Sequence, residues 1–96
     1  MVDEFFEWDD IKAALNEQKH AVTFEMARRA FKDAFAIERV DTRHGDHEER
    51  FALIGMADNH LLFVSYTLRG ERNRIISARR AQPHEQRRYH NENRDY

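Results

Sequence analysis

The stretch from Leu61 to Ala81 constrains the fold most, because it has the pattern of a β-hairpin. Two runs rich in β-branched and aromatic residues, Leu61–Leu68 and Arg74–Ala78, flank a short segment that contains Gly70. Such residues suit the pleated surface of a sheet, and a short connection with glycine is typical of a hairpin turn. We therefore predict two antiparallel strands here.

Side-chain alternation along this hairpin predicts one face in the core and one face open to solvent. The residues expected on the core face are Leu62, Val64, Tyr66 and Leu68, with Ile76 and Ala78 from the second strand. The residues expected on the open face are Ser65, Thr67 and Arg69, with Ile75, Ser77 and Arg79. Guanidinium groups bind phosphate oxygens through a rigid fork of donors, so the open face suits a phosphate-rich ligand.

Charge is distributed unevenly along the chain. Residues 1–50 hold 13 acidic and 8 basic residues, a net charge of −5, and residues 51–96 hold 5 acidic residues and 8 arginines, a net charge of +3. A groove lined by the second half would be positive although the whole chain carries −2. The alternative is that a sequence with 35% charged residues only keeps itself soluble.

Composition excludes several classes of protein. There is no apolar run of about 18 residues that could span a membrane, and no signal-peptide pattern at the N-terminus. The absence of cysteine excludes disulfides, thiolate metal sites and cysteine nucleophiles, and is compatible with a reducing cytosol. We expect a single cytoplasmic domain over residues 1–96.

The N-terminal half predicts a short strand followed by two helices. The strand is expected near Phe5–Trp8, and Asp9 or Asp10 then caps a helix that ends near Lys19-His20. Its predicted buried stripe is formed by Ile11, Ala14 and Leu15. Thr23 is the expected N-cap of the second helix, whose predicted inner face carries Phe24, Ala27, Ala30 and Phe31.

Further strands are predicted at Phe35–Val40 and Arg50–Ala57, with a tight turn at Asp58-Asn59 before the hairpin. Four strands joined by short links indicate an antiparallel meander. A last helix is predicted from Pro83 to about Asn93, and it is polar nearly all round. The fold class is therefore α+β.

Several segments together resemble the BrnT family of type II toxins, small ribonucleases of the wider RelE-like group. The matching residues are Phe6-Glu7-Trp8-Asp9, Lys12, Asn16, Lys19-His20, Phe24, Ala27, Arg50, Gly55, Tyr66–Gly70, Arg74–Arg79, Ala81, Glu85 and Tyr89. One position departs from the family, which usually has glycine where this chain has Ala21. If the first helix ends there in a left-handed conformation, alanine costs roughly 1 kcal/mol.

This resemblance implies a RelE-like fold, in which two N-terminal helices pack on one face of an antiparallel sheet, a C-terminal helix follows, and an RNA groove lies on the other face. It implies endonucleolytic cleavage of RNA that arrests translation and growth. It also implies a BrnA-like antitoxin with a ribbon–helix–helix domain, through which alone the complex contacts operator DNA. No cofactor is expected. A second interpretation is a non-catalytic nucleic-acid-binding or regulatory partner that works only within its complex.

Metal-free cleavage needs a base for the 2′-OH proton, cations for the developing phosphoryl charge and an acid for the leaving oxygen. Arg69 and Arg79 are the first candidates for phosphate clamps; the alternative is arginines that lie over apolar sheet surface. Lys19 and His20 are candidates for phosphate binding and proton transfer. The alternative for His20 is a histidine that hydrogen-bonds carbonyls at a helix end.

The last helix supplies two more catalytic candidates. Glu85 acts as a base or orients an arginine, or it only stabilises the first helical turn. Tyr89 stacks on a base or donates a proton, or it only anchors the helix to the sheet. Further RNA-binding candidates are Arg50, Arg74, Ser77 and Arg80. We expect no metal site: Asp41, His44, Asp46 and His47 have a weak ligand spacing without cysteine and fit a solvated loop better.

Overall fold

The computed structural model describes residues 1–42 and 48–94, and within them it contains five strands and three helices. The order along the chain is β1 (Phe6–Glu7), α1 (Asp10–His20), α2 (Phe24–Ala30), β2 (Ile37–Asp41), β3 (Arg50–Ala57), β4 (His60–Arg69), β5 (Arg72–Arg80) and α3 (Pro83–Asn93). The α+β class is confirmed. No helix in these ranges is long and apolar enough to cross a membrane.

The strands form one sheet in the order β1-β5-β4-β3-β2. Strands β2 to β5 form the predicted antiparallel meander. The expectation of a fully antiparallel sheet is wrong, because β1 pairs in parallel with β5 through Phe6 with Asn73 and Glu7 with Arg74. A two-residue strand is too short for its sequence to indicate its direction. The direction follows from how the strand docks on the edge of β5.

Residues with positive φ stand where the sequence predicted turns. Asp58 and Asn59 have φ values of 51° and 65° between β3 and β4, and Gly70 has 62° between β4 and β5. Short polar side chains and glycine tolerate this region best. These two tight turns fix the register of the meander.

A β-bulge in β5 corrects the predicted faces of the hairpin. Ser65 pairs with Ser77, but Tyr66 pairs with Ile75, so Ile76 is the extra residue. Ile75 therefore lies in the core together with Ala78, and the prediction that Ile75 faces the open side was wrong. The same shift places Arg74, opposite Thr67, on the same face as Arg79, opposite Phe63.

The main core lies on one face of the sheet. Its buried residues include Trp8, Val22, Phe24, Ala27, Ala30, Leu53, Leu62, Val64, Tyr66, Ile75 and Ala78. The predicted N-cap of α2 is confirmed, because Thr23 Oγ1 accepts from Met26 N at 3.0 Å. Phe24, Ala27 and Ala30 then bury the predicted inner face of α2.

The predicted buried stripe of α1 is wrong. Asp9 caps the helix as expected, but Ile11 and Leu15 are 74% and 58% exposed. The inward residue is Asn16, whose carboxamide donates to Ala78 O at 2.8 Å and accepts from Ala78 N at 3.1 Å. It thus bonds the edge of β5 as a neighbouring strand would, which periodicity in apolar residues does not reveal.

Helix α3 packs against the opposite face of the sheet. Pro83 begins the helix, and Glu85 completes a capping box with Gln82. A second small core there contains Ile54, Ala81 and Tyr89, with Ile37, Leu61 and Phe63 packed against it. We call this side of the sheet the α3 face; it carries Phe63, Ser65, Thr67, Arg74, Ser77 and Arg79, with Ile54 and Ala52 from β3.

Candidate nucleic-acid site

Arg79 lies near the C-terminal end of β5, on the α3 face, and three groups contact its guanidinium. Its Nη1 and Nη2 donate to the two carboxylate oxygens of Glu85 at 2.8 and 2.9 Å. Nη1 also donates to Arg80 O at 3.1 Å, and the guanidinium lies 4.3 Å from the ring centroid of Phe63. A guanidinium has five N–H donors, and within residues 1–42 and 48–94 no side chain or carbonyl accepts from Nε or from the second hydrogen of Nη2.

Glu85 is a buried carboxylate, with only 5% of its side chain exposed. Burial alone would raise the pKa of Glu85, but the Arg79 guanidinium and the Gln82 N–H, which donates at 2.7 Å, together lower it below the ordinary value. Glu85 therefore stays ionised at neutral pH, with its oxygens occupied by donors. This geometry suits a group that orients Arg79.

Tyr89 is hydrogen-bonded to a carboxylate in the segment between α2 and β2. Its hydroxyl donates to Asp33 Oδ2 at 2.7 Å, and the same oxygen accepts from Met56 N at 2.8 Å. Burial and this hydrogen bond raise the pKa of the Tyr89 hydroxyl to about 12. Burial alone would raise the pKa of Asp33, but the hydrogen bonds that it accepts lower it. The pair ties the middle of α3 to the segment between α2 and β2.

A cleft of about 250 Å³ opens beside Glu85 and Phe63. Strand β2 and α3 supply its polar walls, with Arg39 and Asp41 on one side and His84 and Arg88 on the other. Arg39 is also paired with Glu92 of α3. The His84 side chain is 59% exposed, and its Nε2 lies 3.8 Å from Glu85 Oε2.

The sequence analysis missed Arg39 and His84 as site residues. His84 and Arg88 are four residues apart and so lie on one side of α3, and Arg39 has the same strand parity as Ile37 of the second core. These signals become useful only once α3 is known to lie across β2 and β3.

The two predicted phosphate clamps are far apart. Arg69 has the strand parity of Phe63 and so shares the α3 face with Arg79, but six residues of β4 separate it from Phe63. This is about 20 Å along the strand. Arg69 is half exposed and its Nε donates to Glu48 at 2.8 Å. The two guanidinium groups therefore cannot bind the same phosphate.

The RNA-binding candidates divide between the two faces. Ser77 and Arg74 lie on the α3 face, where Arg74 Nη1 donates to Glu7 Oε2 at 2.6 Å. Arg50 pairs with Asp41 across β2 and β3 and is half-buried. Arg80 follows Arg79 in the strand and so points to the opposite face, where its Nη2 lies 3.4 Å from His60 Nε2. The structure thus separates Arg80 from Arg79.

Lys19 and His20 end α1 beside the C-terminal half of β5. The chain passes from Glu7, next to Arg74, to Asn16, next to Ala78, so α1 runs in the direction of β5. Four helical residues past Asn16 advance by about 6 Å, which corresponds to about two strand residues. His20 therefore lies level with Arg80, and neither Lys19 nor His20 makes a side-chain hydrogen bond or ion pair with the residues described.

The loop with the weak metal-ligand spacing lies largely outside the described residues, because it includes His44, Asp46 and His47. Asp41 is the buried last residue of β2. Within residues 1–42 and 48–94, no group of three or more His, Cys, Asp and Glu could hold a metal ion.

Comparison with known protein families identifies the family of this chain. A family model described as ribonuclease toxin, BrnT, of type II toxin–antitoxin system matches residues 8–85. The chain belongs to the BrnT family. BrnT toxins are ribonucleases, so membership implies an RNA target and an antitoxin partner. The match includes Arg79 and ends at Glu85, within the first turn of α3. A search of curated proteins gave no match.

Proposed function

We propose that this BrnT toxin is a metal-independent endoribonuclease whose site is the cleft between α3 and the sheet. The observation that carries this proposal is the geometry of Arg79: Nη1 and Nη2 donate to the two carboxylate oxygens of Glu85, and no described residue accepts from the Nε edge. A preorganised cation aimed at developing phosphoryl charge is usually the largest contribution to this type of catalysis. Arg79 is therefore assigned the role of phosphate clamp.

The neighbouring residues take supporting roles in this proposal. Glu85 positions Arg79, and Tyr89 anchors α3 through Asp33. Arg39 and Arg88 attract the RNA backbone into the cleft. His84, whose imidazole lines the cleft and is 59% exposed, is assigned proton transfer. Lys19 and His20 contact the RNA strand where it leaves the cleft along the end of β5.

The remaining candidates extend the proposed RNA-binding surface beyond the cleft. Arg69, Arg74 and Ser77 lie along the α3 face away from the cleft, and they bind phosphates of flanking nucleotides. Arg50 neutralises phosphate near the start of β3, and Arg80 acts with His20 at the C-terminal end of β5, on the face opposite Arg79. We also propose that the fold is of the RelE type, that the toxin acts in the cytoplasm and that a BrnA-like ribbon–helix–helix antitoxin links it to operator DNA.

The test is cleavage of an RNA oligonucleotide by the purified chain, with and without EDTA. We expect cleavage in both conditions. Arg79→Lys keeps the charge but loses the fork of donors, and we expect about 100-fold slower cleavage, as when one preorganised donor is removed. Glu85→Gln should reduce the rate less, because it disturbs only the orientation of Arg79.

Arg29→Lys is the matched control, because Arg29 is also paired with a carboxylate, that of Asp58, but on α2. Its rate should equal that of the unmodified chain, and thermal unfolding should show that all variants fold. Loss of cleavage in EDTA would contradict the metal-free mechanism. RNA binding without any cleavage would instead support a non-catalytic nucleic-acid-binding partner.

A further inference from the structure

The middle of the α3 face is a row of small residues that carries two unused hydroxyl groups. Ala52, Ser65 and Ser77 stand side by side on β3, β4 and β5. Ser65 is only 6% exposed, yet no residue within 1–42 and 48–94 forms a hydrogen bond with its side chain. Its Oγ is not fully enclosed either, so a ligand can reach it from the α3 face. Buried hydroxyls are normally hydrogen-bonded, so Ser65 calls for a partner that these residues do not supply.

An arginine stands on each side of this row. Arg79 pairs with Phe63, two residues before Ser65 in β4. Arg74 pairs with Thr67, two residues after Ser65. Two residues of a strand span about 7 Å, so the donors form three successive levels along the hairpin. We call these levels the donor strip, which consists of Arg79, then Ser65 with Ser77, then Arg74.

The donor strip offers hydrogen-bond donors rather than net charge, because each arginine already holds a carboxylate. Arg79 donates to Glu85, and Arg74 Nη1 donates to Glu7 Oε2 at 2.6 Å. Among the described residues, nothing accepts from Nε of either arginine or from Nη2 of Arg74. The groups left over are N–H and O–H donors. Such a surface suits a ligand with acceptor oxygens at regular intervals, as in the sugar–phosphate backbone of RNA.

We propose that Ser65 and Ser77 bind the RNA phosphate next to the one that Arg79 clamps, and that Arg74 binds the phosphate after that. Directly opposed residues of an antiparallel pair have Cβ atoms about 5 Å apart, so both hydroxyls reach one phosphate group. The small side chains leave a depression between the two arginines in which that phosphate settles. The step of about 7 Å between levels is close to the separation of successive phosphates along an extended single strand.

This subsite rests on the proposed function, because it takes Arg79 as part of the RNA site. It adds Ser65 as an RNA-binding residue and makes three consecutive phosphates the footprint of the donor strip. Serine hydroxyls contact phosphate oxygens in many nucleic-acid complexes and fix the register of the strand without reading its bases. The serine level would therefore set which phosphate lies at Arg79.

The experiment is a nuclear magnetic resonance titration of the purified chain with a tetranucleotide of mixed base sequence, 2′-O-methylated so that it is not cleaved. Without terminal phosphates it has three phosphates, and the middle one falls to the serines in either strand direction. Ser65→Ala should weaken binding about tenfold, as for the loss of a hydrogen bond to a charged group, and Ser77→Ala should weaken it in the same direction. A DNA tetranucleotide should show the same losses.

A neutral methylphosphonate at the middle position tests the contact itself. It should weaken binding by the unmodified chain and largely remove the effect of Ser65→Ala, because two changes to one contact are not additive. A methylphosphonate at either end should leave the effect of Ser65→Ala intact. An effect of Ser65→Ala that is the same with and without the middle charge would overturn the inference, as would one confined to the ribose oligonucleotide.

Thr67→Val is the matched control, because Thr67 lies on the same strand and face but its Oγ1 already donates to Glu49 O at 2.6 Å. This variant should bind as the unmodified chain does, and thermal unfolding should show that all variants fold. Equal affinity of Ser65→Ala and the unmodified chain would contradict the subsite, and so would a tetranucleotide that the unmodified chain does not bind.

RNA cleavage by the same proteins separates this inference from the proposed function. The tetranucleotide is not cleaved, so its binding decides the role of Ser65 even if no form cleaves RNA and the proposed function fails. Cleavage by the unmodified chain, together with an unchanged affinity of Ser65→Ala, would leave the proposed function intact and refute the subsite.

Discussion

Ala21 closes α1 in a conformation that alanine disfavours. Its φ and ψ are 57° and 30°, and its N–H donates to Glu17 O at 2.8 Å. The left-handed region brings Cβ too close to the following carbonyl oxygen, whereas glycine adopts it freely. The departure from the family glycine therefore leaves the chain less stable than its fold allows.

At this position we expect Ala21→Gly to raise the free energy of unfolding by about 1 kcal/mol. Ala14→Gly is the control, because Ala14 is exposed within the same helix and should lose about 1 kcal/mol. Urea unfolding monitored by circular dichroism measures both. Equal destabilisation by the two variants would contradict a strained cap at Ala21.

At the scale of elements, the bulge in β5 decides which arginines share a surface. Ile75 and Ala78 are three residues apart, an odd spacing that a regular strand would place on opposite faces. The extra residue Ile76 brings both into the core and keeps Arg74 and Arg79 together. The placement of Arg74 and Arg79 on one face thus depends on one irregularity in the strand.

Deleting Ile76 should therefore leave the faces of β5 unchanged, because Ile75 and Ser77 already pair with adjacent residues of β4. We expect a folded protein whose free energy of unfolding differs by about 2 kcal/mol at most. Deleting Val64 from the regular middle of β4 should move one half of that strand to the wrong face and abolish folding. Thermal unfolding compares the two, and an unfolded Ile76 deletion would refute this account of the bulge.

The difference between local and long-range contacts explains which features of the fold the sequence could predict. Caps and turns were predictable at Asp9, Thr23 and Asp58-Asn59, because each depends on local backbone chemistry. The bulge at Ile76 was not predictable, nor was the burial of Asn16 in place of Ile11 and Leu15. Both follow from contacts with residues that are distant in sequence.

The candidate site was predictable only in part, for the same physical reason. Strand alternation placed Arg79 on the open face, and the family resemblance pointed to both Arg79 and Glu85. Their ion pair, and the contribution of Arg39 from β2, exist only after α3 has folded back over the sheet. Arg80 was also an RNA-binding candidate, and strand alternation places it on the face opposite Arg79.

At the scale of the whole molecule, ionised carboxylates tie distant elements together. Hydrogen bonds from Arg79, Tyr89 and backbone N–H groups lower the pKa of Glu85 and Asp33 against the opposing effect of burial. These contacts join α3 to β5 and to the segment after α2. Protonation of either carboxylate therefore weakens the attachment of α3.

We expect stability to fall in acid. Because their folded-state pKa values are lowered, these groups contribute fully above the ordinary carboxylate pKa values of about 4. The contribution is lost as the pH falls through the lowered values. The urea midpoint should decrease from pH 6 to pH 3, and Glu85→Gln should show a smaller decrease. An identical pH dependence in the two proteins would rule out Glu85 as a contributor.

The amide of Asn16 has a consequence for the free toxin. A strand with unpaired backbone groups is a template on which further chains can add and grow into aggregates. Asn16 occupies both backbone groups of Ala78, and charged Glu38 and Arg39 stand on the strand at the other edge of the sheet. These side chains therefore hinder the addition of a further strand at either edge of the sheet.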